Sequence, residues 1–154
     1  MAIYGAGSVW AEGEVMEKFF AENNFVLGWG YDDAEDLYGI ISSVKNGDII
    51  YLKSKSPKSS KMSVKAIGIV TKSLVHYLIA DGAKAEELPD KTETARLADR
   101  GNLAIGVKWI VKTPFELDID ESCGKLTTIR PSSFYEEFLP SVQRAIIDHL
   151  TNQL

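Results

Sequence analysis

Phe25-Val26-Leu27-Gly28-Trp29-Gly30, Lys45-Asn46-Gly47-Asp48, Ile49-Ile50-Tyr51-Leu52 and Ala66-Ile67-Gly68-Ile69-Val70 are the stretches on which the fold turns. In chain order they read as strand, helix, Gly-Asp turn, strand, hairpin and strand. Between the first two, Leu37, Ile40, Ile41 and Val44 recur at i, i+3, i+4 and i+7, the apolar face of a helix. Asp32-Asp33 starts that helix, because a carboxylate caps orphan amides and complements the positive end of the dipole. Asn46-Gly47-Asp48 stops it and turns the chain. No hydrolytic or redox motif interrupts the series. This order of elements predicts a small β-barrel that presents a pocket.

Working outward, Met1 to Tyr4 reads as a short strand that leaves through a flexible Gly5-Ala6-Gly7-Ser8 into Val9-Trp10. Val15, Phe19 and Phe20, interleaved with Glu14, Glu17 and Lys18, predict an amphipathic helix of about three turns, ended by Asn23-Asn24. Phe25 to Trp29 follows as a strand. Ile49 to Lys53 and Val64 to Thr71 are paired strands around a lysine- and serine-rich exposed loop, Ser54 to Ser63. Gly68 inside the second strand marks a bulge or a close backbone approach.

Leu74 to Ile79 reads as a short strand or a helical turn, and residues 81–101 as a polar insertion loop. Leu103 to Val111 is a strand in which Ile105, Val107 and Trp109 alternate with their neighbours; Pro114 ends it, and Lys125 to Ile129 is a further strand. Ser132-Ser133 opens the last helix, with Glu136 completing a capping box. Phe134, Phe138, Leu139, Val142, Ile146 and Leu150 form its apolar face, and Pro140 within it predicts two helices or a kink. Five or six strands with three or four helices give a mixed α+β barrel, one domain over residues 1–154.

A chain of 154 residues holds one sizeable core and is short for two. Its net charge of −5 argues against charge-driven binding to a long polyanion, which needs a broad basic face. Cys123 has no second cysteine to pair with and no adjacent base to activate it. His76 and His149 stand in no metal-ligand spacing, and the Asp32, Asp33, Glu35, Asp36 cluster is explained by its helix start, so we expect no metal and no cofactor. Gly5-Ala6-Gly7-Ser8 lacks the lysine and the spacing of a phosphate loop. With no charged leader and no apolar run of the ~20 residues a membrane span needs, we expect a cytoplasmic protein.

The tryptophans differ in setting. Trp109 lies inside an alternating strand and reads as core, the commoner fate of tryptophan. Trp10 follows a glycine-rich segment, and Trp29 ends a strand between Gly28 and Gly30, where glycine permits close approach of a ligand. For these two, core and pocket remain open readings. An aromatic face stacks on a flat or cationic ligand for about 1–3 kcal/mol per base. Lys53, Lys55, Lys58 and Lys61, with Lys65 beyond them, gather around the hairpin loop. The plain reading is solvated surface. The functional one is a phosphate-contacting strip that positions a nucleic acid without reading its sequence.

Together these segments resemble the PUA-like superfamily, particularly its EVE branch. Gly106-Val107-Lys108-Trp109 is similar to the Val-x-Trp strand of that branch, Thr113 to Leu117 to its next segment, and Leu126 to Pro131 with Ser132-Ser133-Phe134 to its C-terminal end. The resemblance implies a β pseudo-barrel flanked by helices, with an aromatic pocket for a modified base. YTH readers of methylated adenine and base-flipping modules of restriction systems are relatives in that superfamily. By position Trp10 and Trp29 match the pocket, with Ser8 and Tyr31 as neighbours. The expectation is a non-enzymatic module that binds a modified base, nucleotide or nucleic acid, single-stranded or with a flipped base. Its context would be nucleic-acid modification, restriction or phage defence. The acidic net charge and the 81–101 insertion depart from the family's pattern. The rival expectation, from another class, is a protein–protein adaptor or inhibitor, phage- or defence-related, with no nucleotide ligand.

Overall fold

The Asn46-Gly47-Asp48 turn ties three separated segments together. Gly47 takes a φ of 92°, which a side chain would resist. The Asp48 carboxylate accepts from Ala2 N (2.9 Å) and Lys45 N (2.8 Å), while Asn46 Oδ1 accepts from Ser73 N (2.7 Å). Gly47 N donates to Val70 O at 2.8 Å. One polar turn thereby fixes where the first, middle and sixth strands meet. The structure is a computed structural model, and it describes residues 1–10, 13–28, 35–55, 59–74, 104–119 and 134–154.

The described elements are β1 (Ile3–Ala6), β2 (Val9–Trp10), β3 (Gly13–Glu14), α1 (Met16–Glu22), β4 (Asn24–Val26), α2 (Glu35–Ile41), β5 (Ile49–Ser54), β6 (Lys61–Lys72), β7 (Ala104–Val111), β8 (Phe115–Asp118), β9 (Phe134–Glu136) and α3 (Pro140–Thr151). The main sheet runs β4-β7-β6-β5-β1-β9, with β8 joined to the free end of β6. β1 lies parallel to β5 and the other pairs are antiparallel. The six-strand path curls into a half-barrel, so the expected mixed α+β barrel is the fold observed. β2 and β3 form a two-stranded sheet of their own.

Alternation along the strands feeds two cores, one on each face. Tyr4, Ala6, Ile50, Leu52, Phe134, Ile105 and Val107 enter the first, with Phe19 of α1 and Ile41 of α2. Ile3, Ile49, Tyr51 and Tyr135 enter the second, covered by Val142, Ile146 and Leu150 of α3. Where β6 runs past β5, Leu52 faces Ala66 but Lys53 faces Val64, so β6 carries one extra residue, Lys65. This bulge inverts the alternation: Met62 and Val64 point to the second core, Ala66 and Val70 to the first. A second irregularity falls at Gly68, as its sequence position suggested. A Cβ there would stand 2.5 Å from Val107 Cγ1 and 2.9 Å from Lys108 O.

Several expectations need correction. Phe134 to Glu136 is not the start of the last helix but strand β9, because Phe134 and Tyr135 reach opposite cores and the segment pairs with β1. Pro140 does not kink a helix; it begins one, where its fixed φ and missing N–H suit the first turn. Gly5 and Ala6 belong to β1 rather than to a flexible exit. α1 is two turns long, closed by Asn23 in the left-handed region (φ 52°, ψ 49°) as expected of asparagine. β4 ends at Val26, short of the expected strand. β6 begins at Lys61, because β8 continues the ladder there, so the loop after β5 is shorter than the sequence suggests. The start of α2 at Asp32-Asp33, the segments 75–79 and 81–101, and the strand at 125–129 lie outside the described residues. Among those described, no helix is long and apolar enough to cross a membrane, and no group of three acids, histidines or cysteines is placed to hold a metal.

Candidate functional site

The β2–β3 hairpin brings the first candidate residues together. Trp10 pairs with Gly13, which takes a φ of 115°, and Val9 pairs with Glu14; Val15 N closes the base on Ser8 O at 2.9 Å. Trp10 is half-buried, its ring meeting Phe19 edge-on at 6.1 Å. Phe19 leads to Phe25 (5.3 Å), Phe25 to Phe134 (5.6 Å) and Phe134 to Tyr4 (5.5 Å), an aromatic chain running from the hairpin through the first core. On its other side the indole lies against the backbone at Gly28, where a Cβ would stand 2.5 Å from Nε1. Gly28 is thus required by Trp10, and it immediately precedes Trp29.

Beside the tryptophan is a polar cluster. Ser8 is fully buried, and Lys65 Nζ donates both to Ser8 Oγ and to Glu14 Oε2, the latter at 2.8 Å. Glu14 Oε1 accepts from Met16 N at 3.0 Å. Burial pushes the Glu14 carboxyl up. Hydrogen bonds from Lys65 and Ser8, the lysine charge and the Met16 amide together outweigh that and hold it below its ordinary value.

A second polar group lies in the other core. Tyr51, in β5, and Tyr135, in β9, flank Gly5 of β1 in one row across three strands. Tyr51 gives its proton to Glu137 Oε1 (2.7 Å), so Tyr135 must donate to Tyr51 Oη, also 2.7 Å away. Glu137 Oε2 accepts from Leu139 N at 3.0 Å, and all three side chains are buried. Burial first, then the charges of Glu137 and the neighbouring phenol, push the Tyr51 hydroxyl well above its ordinary value. Lys53 sits with its ammonium 5.6 Å from the centre of the Tyr135 ring. Burial, with the like charges of Lys65 and Lys55, lowers it to about 8.

The sequence-derived candidates therefore separate. Ser8 and Trp10 meet on the hairpin against the first core. Lys53, expected on an exposed strip, is 6% exposed: β5 extends to Ser54, and alternation turns Lys53 inward with Tyr51. Lys55 is half-buried and Lys61 exposed. Trp29, Tyr31 and Lys58 lie outside the described residues. Glu14 as an ion-pair partner and the Tyr51–Tyr135–Glu137 group were not foreseen. Their members are 51 and 84 to 86 residues apart in sequence, and no local pattern announces them. Away from the hairpin, Met1, Ala2, Ile3, Glu136, Glu137, Phe138, Gln143 and Ile147 line an open cleft of about 200 Å³.

No protein-family model matches the chain, and no curated protein matches its sequence. Among solved structures it has a likeness, at 14% identity and a TM-score of 0.46, to the YTH domain of the Zygosaccharomyces rouxii MRB1 protein crystallised with N6-methyladenosine RNA, over 96% of this chain and 84% of that one.

Proposed function

We propose that this chain is a non-enzymatic binding module of the PUA-like, EVE-type kind that captures a modified base or a nucleotide in an aromatic pocket. The observation that carries the reading is Trp10: half-buried, and seated against the glycine that precedes Trp29. In this reading Trp29 stacks on the base, Trp10 closes the pocket, and Ser8 and Tyr31 flank it. Lys55, Lys58 and Lys61 approach phosphate, and Lys53 adds positive field from beneath. Extruding a base from a stack costs a few kcal/mol, which stacking at ~1–3 kcal/mol per base and hydrogen bonds to its edge offset. A role in nucleic-acid modification, restriction or phage defence fits such a ligand. Titration of the wild type, Trp10→Ala and Trp29→Ala with modified nucleosides tests it. Loss of about tenfold or more in affinity in both variants is expected; variants that bind as tightly as the wild type would refute the assignment.

A second reading, an adaptor or inhibitor that binds a protein, is favoured by one feature. Met1 (87% exposed), Phe138 (57%) and Ile147 (37%) surround the 200 Å³ cleft with apolar surface. Contiguous exposed apolar patches mark interaction sites. A stoichiometric protein partner on size exclusion, lost in Phe138→Ser and accompanied by no nucleoside binding, would favour it over the first.

A further inference from the structure

Among the described residues the β2–β3 hairpin has no ladder bond to the main sheet, yet it carries the tryptophan on which the pocket reading depends. Three observations converge on what holds it. Lys65 is the extra residue of the β6 bulge, so its side chain is released from the alternation that governs its neighbours. Its ammonium reaches both chain segments at the base of the hairpin, Ser8 before β2 and Glu14 at the end of β3. The Lys65 side chain is 13% exposed and that of Glu14 40%, so the link stands at the rim, where water and salt reach one partner.

We propose that Lys65 is a positioning residue for Trp10: through Glu14 and Ser8 it clasps the hairpin to the bulge of β6 and so sets the seat of the indole against Gly28 and Phe19. The function of the clasp rests on the pocket reading above. Glu14 pairs with Val9, on the hairpin face opposite the Trp10–Gly13 pair, so the Glu14 arm of the clasp grips the face turned away from Trp10. Glu14→Gln removes the charge but keeps an oxygen for the Met16 amide at the start of α1, and neither Glu14→Gln nor Lys65→Met touches a main-sheet ladder bond. What it frees is the tilt of the two short strands. An exposed ion pair contributes little to global stability, so its effect shows at Trp10 before it shows in the melting midpoint. Moderate salt screens the pair and imitates its loss.

The test uses fluorine NMR of fluorotryptophan-labelled full chain, with the Trp10 signal assigned through Trp10→Phe. Glu14→Gln and Lys65→Met should each displace or broaden that signal at little change in melting midpoint. Each should weaken binding of N6-methyladenosine nucleoside by about fivefold. The charge exchange Glu14→Lys with Lys65→Glu keeps the attraction, and Ser8 can donate to a carboxylate as it now accepts from an ammonium. Because Glu14→Lys also takes the acceptor from Met16 N, the reference is Glu14→Lys alone, over which the double variant should recover signal and affinity at least partly. A Trp10 signal unmoved by Glu14→Gln, or an exchanged variant no better than Glu14→Lys alone, overturns the clasp. The NMR arm needs no ligand, so the two ideas fail separately. Signals that move and recover while no form binds N6-methyladenosine, or any other member of a panel of modified nucleosides and nucleotides, uphold the clasp and sink the pocket. A wild type that binds nucleoside with an unmoved Trp10 signal does the reverse.

Discussion

Gly5 sits between two tyrosines, and the space it leaves is what lets them meet. A Cβ there would stand 2.5 Å from the Tyr135 hydroxyl, which passes over Gly5 to reach Tyr51. Gly5→Ala is therefore expected to destabilise the fold by about 1–3 kcal/mol, the usual cost of overpacking a filled core, read as a lower urea midpoint. In sequence Gly5 read as part of a flexible exit from the first strand, because a glycine required by a residue 130 positions away leaves no local trace. Lys53 makes a pH prediction on the same face. Its folded value of about 8 lies below the ordinary 10.5, so above pH 8 the unfolded chain holds more protons than the folded one, and stability rises with pH. The rise ends near pH 10, where Tyr51, held well above its ordinary 10.0 when folded, reverses the sign: the unfolded phenol ionises first. Melting midpoints measured between pH 7 and 10 should climb in the wild type and flatten in Lys53→Met.

Elements were legible to the extent that their own residues decide them. The β7 alternation, the asparagine cap of α1 and the Asn46-Gly47-Asp48 turn formed as the sequence suggested, because each is set by neighbours within a few positions. β9 was misread, since Phe134 and Tyr135 become a strand only through pairing with β1, and periodicity alone cannot see that. The same holds for the bulge at Lys65, which exists only relative to β5. Asp48 tests the turn. Asp48→Ala strips the acceptors from Ala2 N and Lys45 N, two partly buried amides, and should cost about 2–4 kcal/mol. Hydrogen exchange should then quicken first at the start of β1 and at β5, where Ile49 N bonds Ala2 O. Exchange that quickens uniformly, or nowhere, would show that the turn does not organise this corner. Glu14, whose carboxyl is held below its ordinary 4.5, predicts a local change as well. Its contribution is present above that value and lost as pH falls through the lower folded one, so the hairpin should loosen in acid before the sheet unfolds.

At the scale of the molecule, a half-barrel with two cores leaves Trp10 on a separate hairpin at the rim. The fold class was readable from the order and spacing of apolar runs. The site was readable only in part: Ser8 and Trp10 come together, while Lys53 turned inward, and Trp29, Tyr31 and Lys58 lie outside the described residues. Residue type told which side chains could bind a base; the face each one occupies depended on register, which one extra residue in β6 reverses. The central claim is that an aromatic pocket takes a modified base, and a thermal-shift screen tests it most directly. The wild-type chain would be melted with modified and unmodified nucleosides, nucleotides, and single- and double-stranded oligonucleotides. A ligand at a hundredfold excess over its dissociation constant adds about 2.7 kcal/mol, or about 5–10 °C for a chain of this size. The account predicts a saturable rise of that order for a modified base over its unmodified counterpart, abolished in Trp10→Ala. A flat midpoint across the whole panel would contradict it.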